Sequence, residues 1–267
     1  MKLLLNEWCK YLHKSSYTVI MPIILLIILI FYYGGIYFTS DKTDLAISPA
    51  ESKRLFFFGM TICYYYANFI AITMASTILS KEISRGTITF VLTRPYQRYK
   101  ILLAKIGAII LFTPVFLIFG TIIILLLQLI TVSHLPEFSA ILKTSGLYIV
   151  LTLVVTIFYS SIALLFSTLS SSSAFITSFC YSFYFFATPL WQIINSRYLE
   201  LSPNSWIFKL SPLKANDYLI DLVKNTYYQS VEPDLYIVLL ANLGYTCIFF
   251  LLAVLIFRRQ DISLLAS

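Results

Sequence analysis

The amino-acid sequence predicts an all-α membrane protein with six transmembrane helices. Three observations carry that prediction. Apolar residues fill 59% of the 267 positions and charged residues only 12%, about half the charged share of soluble domains. Mean hydropathy is +0.85. The apolar residues are also gathered into runs of about 20 or more, the length a helix needs to cross a bilayer's hydrocarbon core.

The elements follow in chain order. Over residues 1–16 the pattern is that of an interfacial helix, with Leu4, Leu5, Trp8, Tyr11 and Leu12 on one face. Lys2, Asn6, Glu7, Lys10, His13 and Lys14 fill the other. A frayed basic tail is the alternative. The first span runs from about Tyr17 to Phe38. It is long enough to cross and has no small-residue cleavage site after a short apolar core, so it reads as a retained helix, not a signal peptide. Further spans are expected at about Leu55–Leu79, Ile101–Ile130, Thr144–Phe166, Ala174–Ile194 and Leu235–Phe257. The third is over-long and contains Pro114, which predicts a kink or a strong tilt. Ser167–Ser173 is expected as a short polar turn. The outer loop, 196–234, is punctuated by Pro203, Pro212 and Pro233, yet Trp206, Phe208, Leu210 and Leu219 are too apolar for a free loop. Short re-entrant or surface helices are expected there. The whole chain, 1–267, reads as a single transmembrane domain.

Charge sets the orientation. Lys2, Lys10, Lys14, Lys81, Arg85, Arg94, Arg98, Lys100, Lys105, Arg258 and Arg259 fall on one side of six spans, opposed there only by Glu7, Glu82 and Asp261. The other eight basic residues share the opposite side with the remaining nine acids. This excess places both termini in the cytoplasm of a multi-pass cell-membrane protein. The net charge of +7 sits at the ends of apolar runs, which argues for membrane lipids as partners and against nucleic acid.

Several chemistries are missing from the sequence. Apart from Lys105 near an interface, the six apolar cores hold no Asp, Glu, Lys, Arg or His. Proton- and ion-coupled carriers place such residues in the membrane. No catalytic residue is assigned: His13 and His134 lie outside the cores, no aspartate pair or His-Glu-x-x-His motif occurs, and no phosphate loop is present. The cysteines Cys9, Cys63, Cys180 and Cys247 are scattered without disulfide or zinc spacing, so no metal site is expected.

The loop at 81–100 is the most charged stretch, yet it encloses an apolar insert. Gly86 permits a sharp bend, Thr87 caps a short helix from Ile88 to about Leu92, and Pro95 stops it by disfavouring helical geometry at Arg94. Ile88, Phe90, Val91 and Leu92 are then free to lodge in a groove on a cytoplasmic partner. From these residues alone, a basic loop on acidic headgroups fits equally well.

Glu82, Gly86-Thr87, Leu92, Pro95, Arg98 and Lys105 resemble the signature loop of type-2 ABC-transporter permeases. The surface-lying N-terminal helix, the apolar last outer loop and the basic tail Phe257-Arg258-Arg259 are similar to that family's pattern as well. The resemblance covers essentially the whole chain. It implies a cytoplasmic coupling helix between spans two and three that sits on a separate ATPase. Two copies of that ATPase serve two permeases, the second an identical copy or a sister protein. ATP and Mg would be held by the ATPase, with no cofactor bound by this chain. On the same resemblance Ile88, Phe90, Val91 and Leu92 seat in the ATPase groove, Arg85 and Arg94 face its acidic rim, and Glu82 pairs with a base near span two or the connecting helix. The pathway for a hydrophobic or amphipathic cargo (a membrane-active peptide, lipid or drug) is expected near Asn68, Gln128, Asn242, Phe183 and Phe186; for the three polar residues, hydrogen bonding between helices is the alternative and the favoured reading. A membrane-embedded peptide-binding or immunity protein that transports nothing is the alternative.

Overall fold

The computed structural model describes residues 2–13, 21–39, 49–84, 98–131, 138–199, 206, 210 and 235–259, and among them all regular structure is helical. Seven α-helices are delimited among the described residues: α1 Lys2–Leu12, α2 Met21–Thr39, α3 Pro49–Ser84, α4 Arg98–Thr131, α5 Phe138–Leu169, α6 Ser173–Ile194 and α7 Leu235–Arg259. A π-helical turn, Asn195–Leu199, continues α6 into the first part of the expected outer loop. Trp206 and Leu210 apart, the rest of that loop lies outside the described residues.

Among the described residues, four helices are long and apolar enough to cross a membrane, over Leu55–Ser84, Tyr99–Ile130, Ser145–Leu169 and Tyr236–Arg259. Pro22–Gly34 in α2 and Ser173–Ala187 in α6 are shorter apolar stretches. Several helices outrun the apolar runs that announce them. With 36 residues α3 is about 54 Å long, well beyond a hydrocarbon core of about 30 Å. It begins on the polar Pro49-Ala-Glu-Ser-Lys-Arg and ends on Ser80-Lys81-Glu82-Ile83-Ser84. The α4 helix continues through Pro114. The expected serine turn shrinks to Ser170–Ser172, where the Ser172 hydroxyl accepts a bond from the Phe175 N–H at 3.4 Å and caps α6.

The α3 helix is the hub of the bundle and packs against α2, α4, α5 and α6. Its contact with α5 is the most extensive in the molecule, and α7 covers the other side of α5. Small residues set the α3–α4 approach: a Cβ built on Gly120 would stand 2.7 Å from Cys63 Sγ, and one on Gly59 3.2 Å from the Ile124 side chain. Against α6, α3 presents Phe69, whose ring packs on Tyr181, Tyr184 and Phe185 at centroid distances of 5.0, 5.7 and 5.2 Å.

The N-terminal helix corrects one expectation. Helix α1 lies on α4, through Leu4 and Trp8 of the expected apolar face but also through a residue expected on the polar one. Leu5 is exposed, whereas Glu7, expected on the polar face, is buried. Leu4 fits against Gly107, where any side chain would run into it. The buried stripe is therefore turned toward Leu4, Glu7 and Trp8, because Glu7 meets a buried positive charge on α4.

Candidate functional site

That charge is Lys105, about two turns into α4 and only 1% exposed. Its ammonium donates to Glu82 Oε1 at 2.8 Å, to the Ile78 carbonyl at 3.3 Å and to Glu7 Oε2 at 3.4 Å. Lys10 closes the group from the rim, at 2.5 Å from Glu7 Oε1 and 3.7 Å from Glu82 Oε1. Among the described residues, two ammonium groups and two carboxylates thus meet here, drawn from α1, the last turn of α3 and the start of α4.

Each member is held by an ordinary local cause. Glu7 and Lys10 are one helical turn apart on α1 and face each other without cost in backbone geometry. Three ammonium protons match three acceptors at Lys105, which is the condition for keeping a cation out of water. Glu82 lies three residues before the 85–97 segment and Arg98 opens α4 directly after it, so the cluster forms the root of the charged loop.

Of the residues expected to couple to a partner, Arg85, Gly86, Thr87, Ile88, Phe90, Val91, Leu92, Arg94 and Pro95 lie outside the described residues. Glu82 is in the cluster, paired with a lysine on the N-terminal helix and another on α4. Glu7 and Lys10 are not among the residues the sequence assigns to coupling, and Lys105 enters there only through the loop signature and as the one charge in an apolar run. A lone lysine set inside an apolar run is the signal that points to them, since a charge there demands a partner.

The expected pathway residues scatter across the bundle. Asn68 is buried at the α3–α5 contact, donating to the Tyr64 carbonyl at 2.9 Å and accepting from Thr156 at 3.2 Å. Gln128 is buried near the other end of α4 and donates to the Ser52 carbonyl and hydroxyl at 2.7 and 2.9 Å. Asn242 is buried and donates to the Val238 carbonyl of its own helix at 3.3 Å. Phe183 is half-buried near Tyr159, with centroids 6.4 Å apart, and Phe186 is 64% exposed on α6. The structure brings no two of these five together by a hydrogen bond or ring contact it describes. Hydroxyls instead join α3 to α6, where Thr73 pairs with Tyr181 and Ser76 with Thr177 at 2.5 Å. They join α3 to α5 through Thr61 and Tyr148 at 2.9 Å.

The arrangement is a helix bundle with polar bonds at buried contacts and a charge-balanced knot at one end. It holds helices in register beside a basic loop. No curated protein matches the chain. A family model described as ABC-2 family transporter protein matches residues 1–262, nearly its full length and all of these elements. A multi-pass helical bundle and that match together make the chain a member of the ABC-2 transporter family.

Proposed function

We propose that this chain is the permease subunit of an ATP-driven exporter, crossing the cell membrane six times with both termini in the cytoplasm. Residues 85–97 seat on a separate ATP-hydrolysing subunit, which holds ATP and Mg. Two such ATPases serve two permeases, the second permease an identical copy or a sister chain. The cargo is hydrophobic or amphipathic, in keeping with spans that carry aromatic and aliphatic side chains and almost no charge.

The observation that carries this reading is the four-charge knot at the root of the loop. A partner that pushes on 85–97 moves Glu82 and Arg98, and Glu82 is bonded to both α1 and α4. Displacement of the loop is thereby shared among three helices instead of being absorbed by one. Family membership supports association with ATP-binding subunits in general.

The test is a single substitution in the loop. Phe90→Asp or Val91→Asp places a charge on the apolar surface meant for the ATPase groove. Co-purification of the ATPase with the chain should fall at least tenfold while the chain itself still accumulates in the membrane. Undiminished association and transport would remove these residues from the coupling surface, whereas a wild-type chain that co-purifies with no ATPase would favour a membrane protein that binds its ligand without one.

A further inference from the structure

Helices α3 and α5 run parallel along a seam of nearly constant sequence offset. Thr61 bonds Tyr148, 87 residues ahead, and Asn68 bonds Thr156, 88 residues ahead. The same offset sets Tyr64 opposite Thr152, between those two bonds. Both residues are buried, at 2% and 0% exposed, and neither hydroxyl has a hydrogen-bond partner among the described residues.

For Thr152 this is not the habit of a helical threonine. Thr61, Thr73, Thr77, Thr113, Thr121, Thr177 and Thr246 each donate to the carbonyl four residues back, the usual local solution. On α5, Thr152, Thr156 and Ser160 stand at four-residue spacing along one stripe, and no such back-bond satisfies them. Thr156 gives its hydroxyl to Asn68, while Thr152 and Ser160 remain unpaired among the described residues. Tyr64 has no local solution, since its ring carries the hydroxyl beyond the carbonyls of its own turn. Long helical side chains lean toward the N-terminus, and because the two helices are parallel, Tyr64 and Thr152 lean the same way. The shared offset thus sets the two residues at one level, and no bond joins them.

We propose that a water molecule is a fixed component of this seam, held between the Tyr64 and Thr152 hydroxyls. Each hydroxyl can donate or accept, as can water, so the site adapts to either direction of the chain of bonds. The second lone pair of a helix carbonyl at this level completes the two to four partners a buried water takes. The Thr61–Tyr148 and Asn68–Thr156 bonds close the seam on either side.

The experiment compares the full chain in lipid nanodiscs with Tyr64→Phe, Thr152→Val and the double variant, by thermal melting and by a density map that resolves ordered waters. With the water in place, each single variant removes one of its ligands and lowers the melting temperature by about 2–4 °C. The double variant falls by less than the sum, because the site is then dry and apolar. The map should show a peak about 2.7–3.2 Å from both hydroxyl oxygens. If either single variant melts at or above the wild type, the hydroxyl it removes was an unpaired one, and the proposal is overturned. Lowered melting without a density peak indicates a direct hydroxyl–hydroxyl bond and overturns it equally.

Discussion

Replacing Lys105 by Met tests the ion cluster most directly, because the side-chain volume changes little and the charge disappears. At an effective dielectric constant of about 20, the attraction of Lys105 for Glu82 at 2.8 Å is about 6 kcal/mol, and for Glu7 at 3.4 Å about 5 kcal/mol. Removing the ions from water costs several kcal/mol each. The assembled cluster therefore sits close to balance. Taking away only the central cation leaves two carboxylates in a protein-lined site, a situation that costs about 3–5 kcal/mol elsewhere. Here the Glu82 side chain keeps 20% of its exposure and Lys10 stays at the rim, so the lower figure applies, about 3 kcal/mol. At about 2–4 °C per kcal/mol for a chain near this size, the melting temperature should drop by about 6–12 °C. Tryptophan fluorescence of the full chain in nanodiscs reads the transition, and Trp8 on α1 reports on the helix that should detach first. Neutralising the carboxylates as well, with Glu7→Gln and Glu82→Gln in the Lys105→Met background, should restore most of the loss, because the one charge left in the group, Lys10, is half-exposed at the rim and keeps its water. A Lys105→Met chain that melts within about 1 °C of the wild type would refute the argument. So would a triple variant that melts lower still.

Two further predictions concern packing and polar clips in the bundle. Gly120→Ala drives a methyl group toward Cys63 Sγ, 2.7 Å from the position of its Cβ, and should cost about 1–3 kcal/mol as overpacking; Cys63→Ala, which removes the sulfur, should recover most of that in a melting comparison. Gln128→Leu removes both bonds to Ser52 and should cost about 1 kcal/mol, since bonds between membrane helices are individually modest; a double-mutant cycle with Ser52→Ala separates the hydroxyl share from the carbonyl share.

The apolar runs located the helices and misjudged their ends. For α7, Leu235–Phe257 against Leu235–Arg259 is nearly coincident. For α3, the run Leu55–Leu79 sits inside a helix of 36 residues. Hydropathy marks where side chains match hydrocarbon, whereas backbone bonding carries a helix on through Glu51 and Glu82 regardless. The site was legible only in its parts. Glu82 stood out as an acid beside a basic loop, and Lys105 as a lone charge in a span. That they meet, together with Glu7, depends on contacts between residues 23 and 98 positions apart, which no local spacing encodes. The burial of Glu7 beside Leu4 and Trp8 went unread for the same reason: it is drawn in by a charge on another helix.

The length of α3 has one more consequence. It is fastened to α4 at both ends, by Ser52 to Gln128 and by Glu82 to Lys105. Thirty residues separate the two fastenings, about 45 Å along a helix in which every residue turns the chain by about 100°. The pair of clips therefore fixes a phase as well as a distance. Inserting or deleting one residue between them would rotate one clip a quarter-turn and more away from its mate, whichever residue was chosen. Descendants of this sequence are free to exchange side chains along α3, but its residue count between Ser52 and Glu82 is as constrained as any contact it makes.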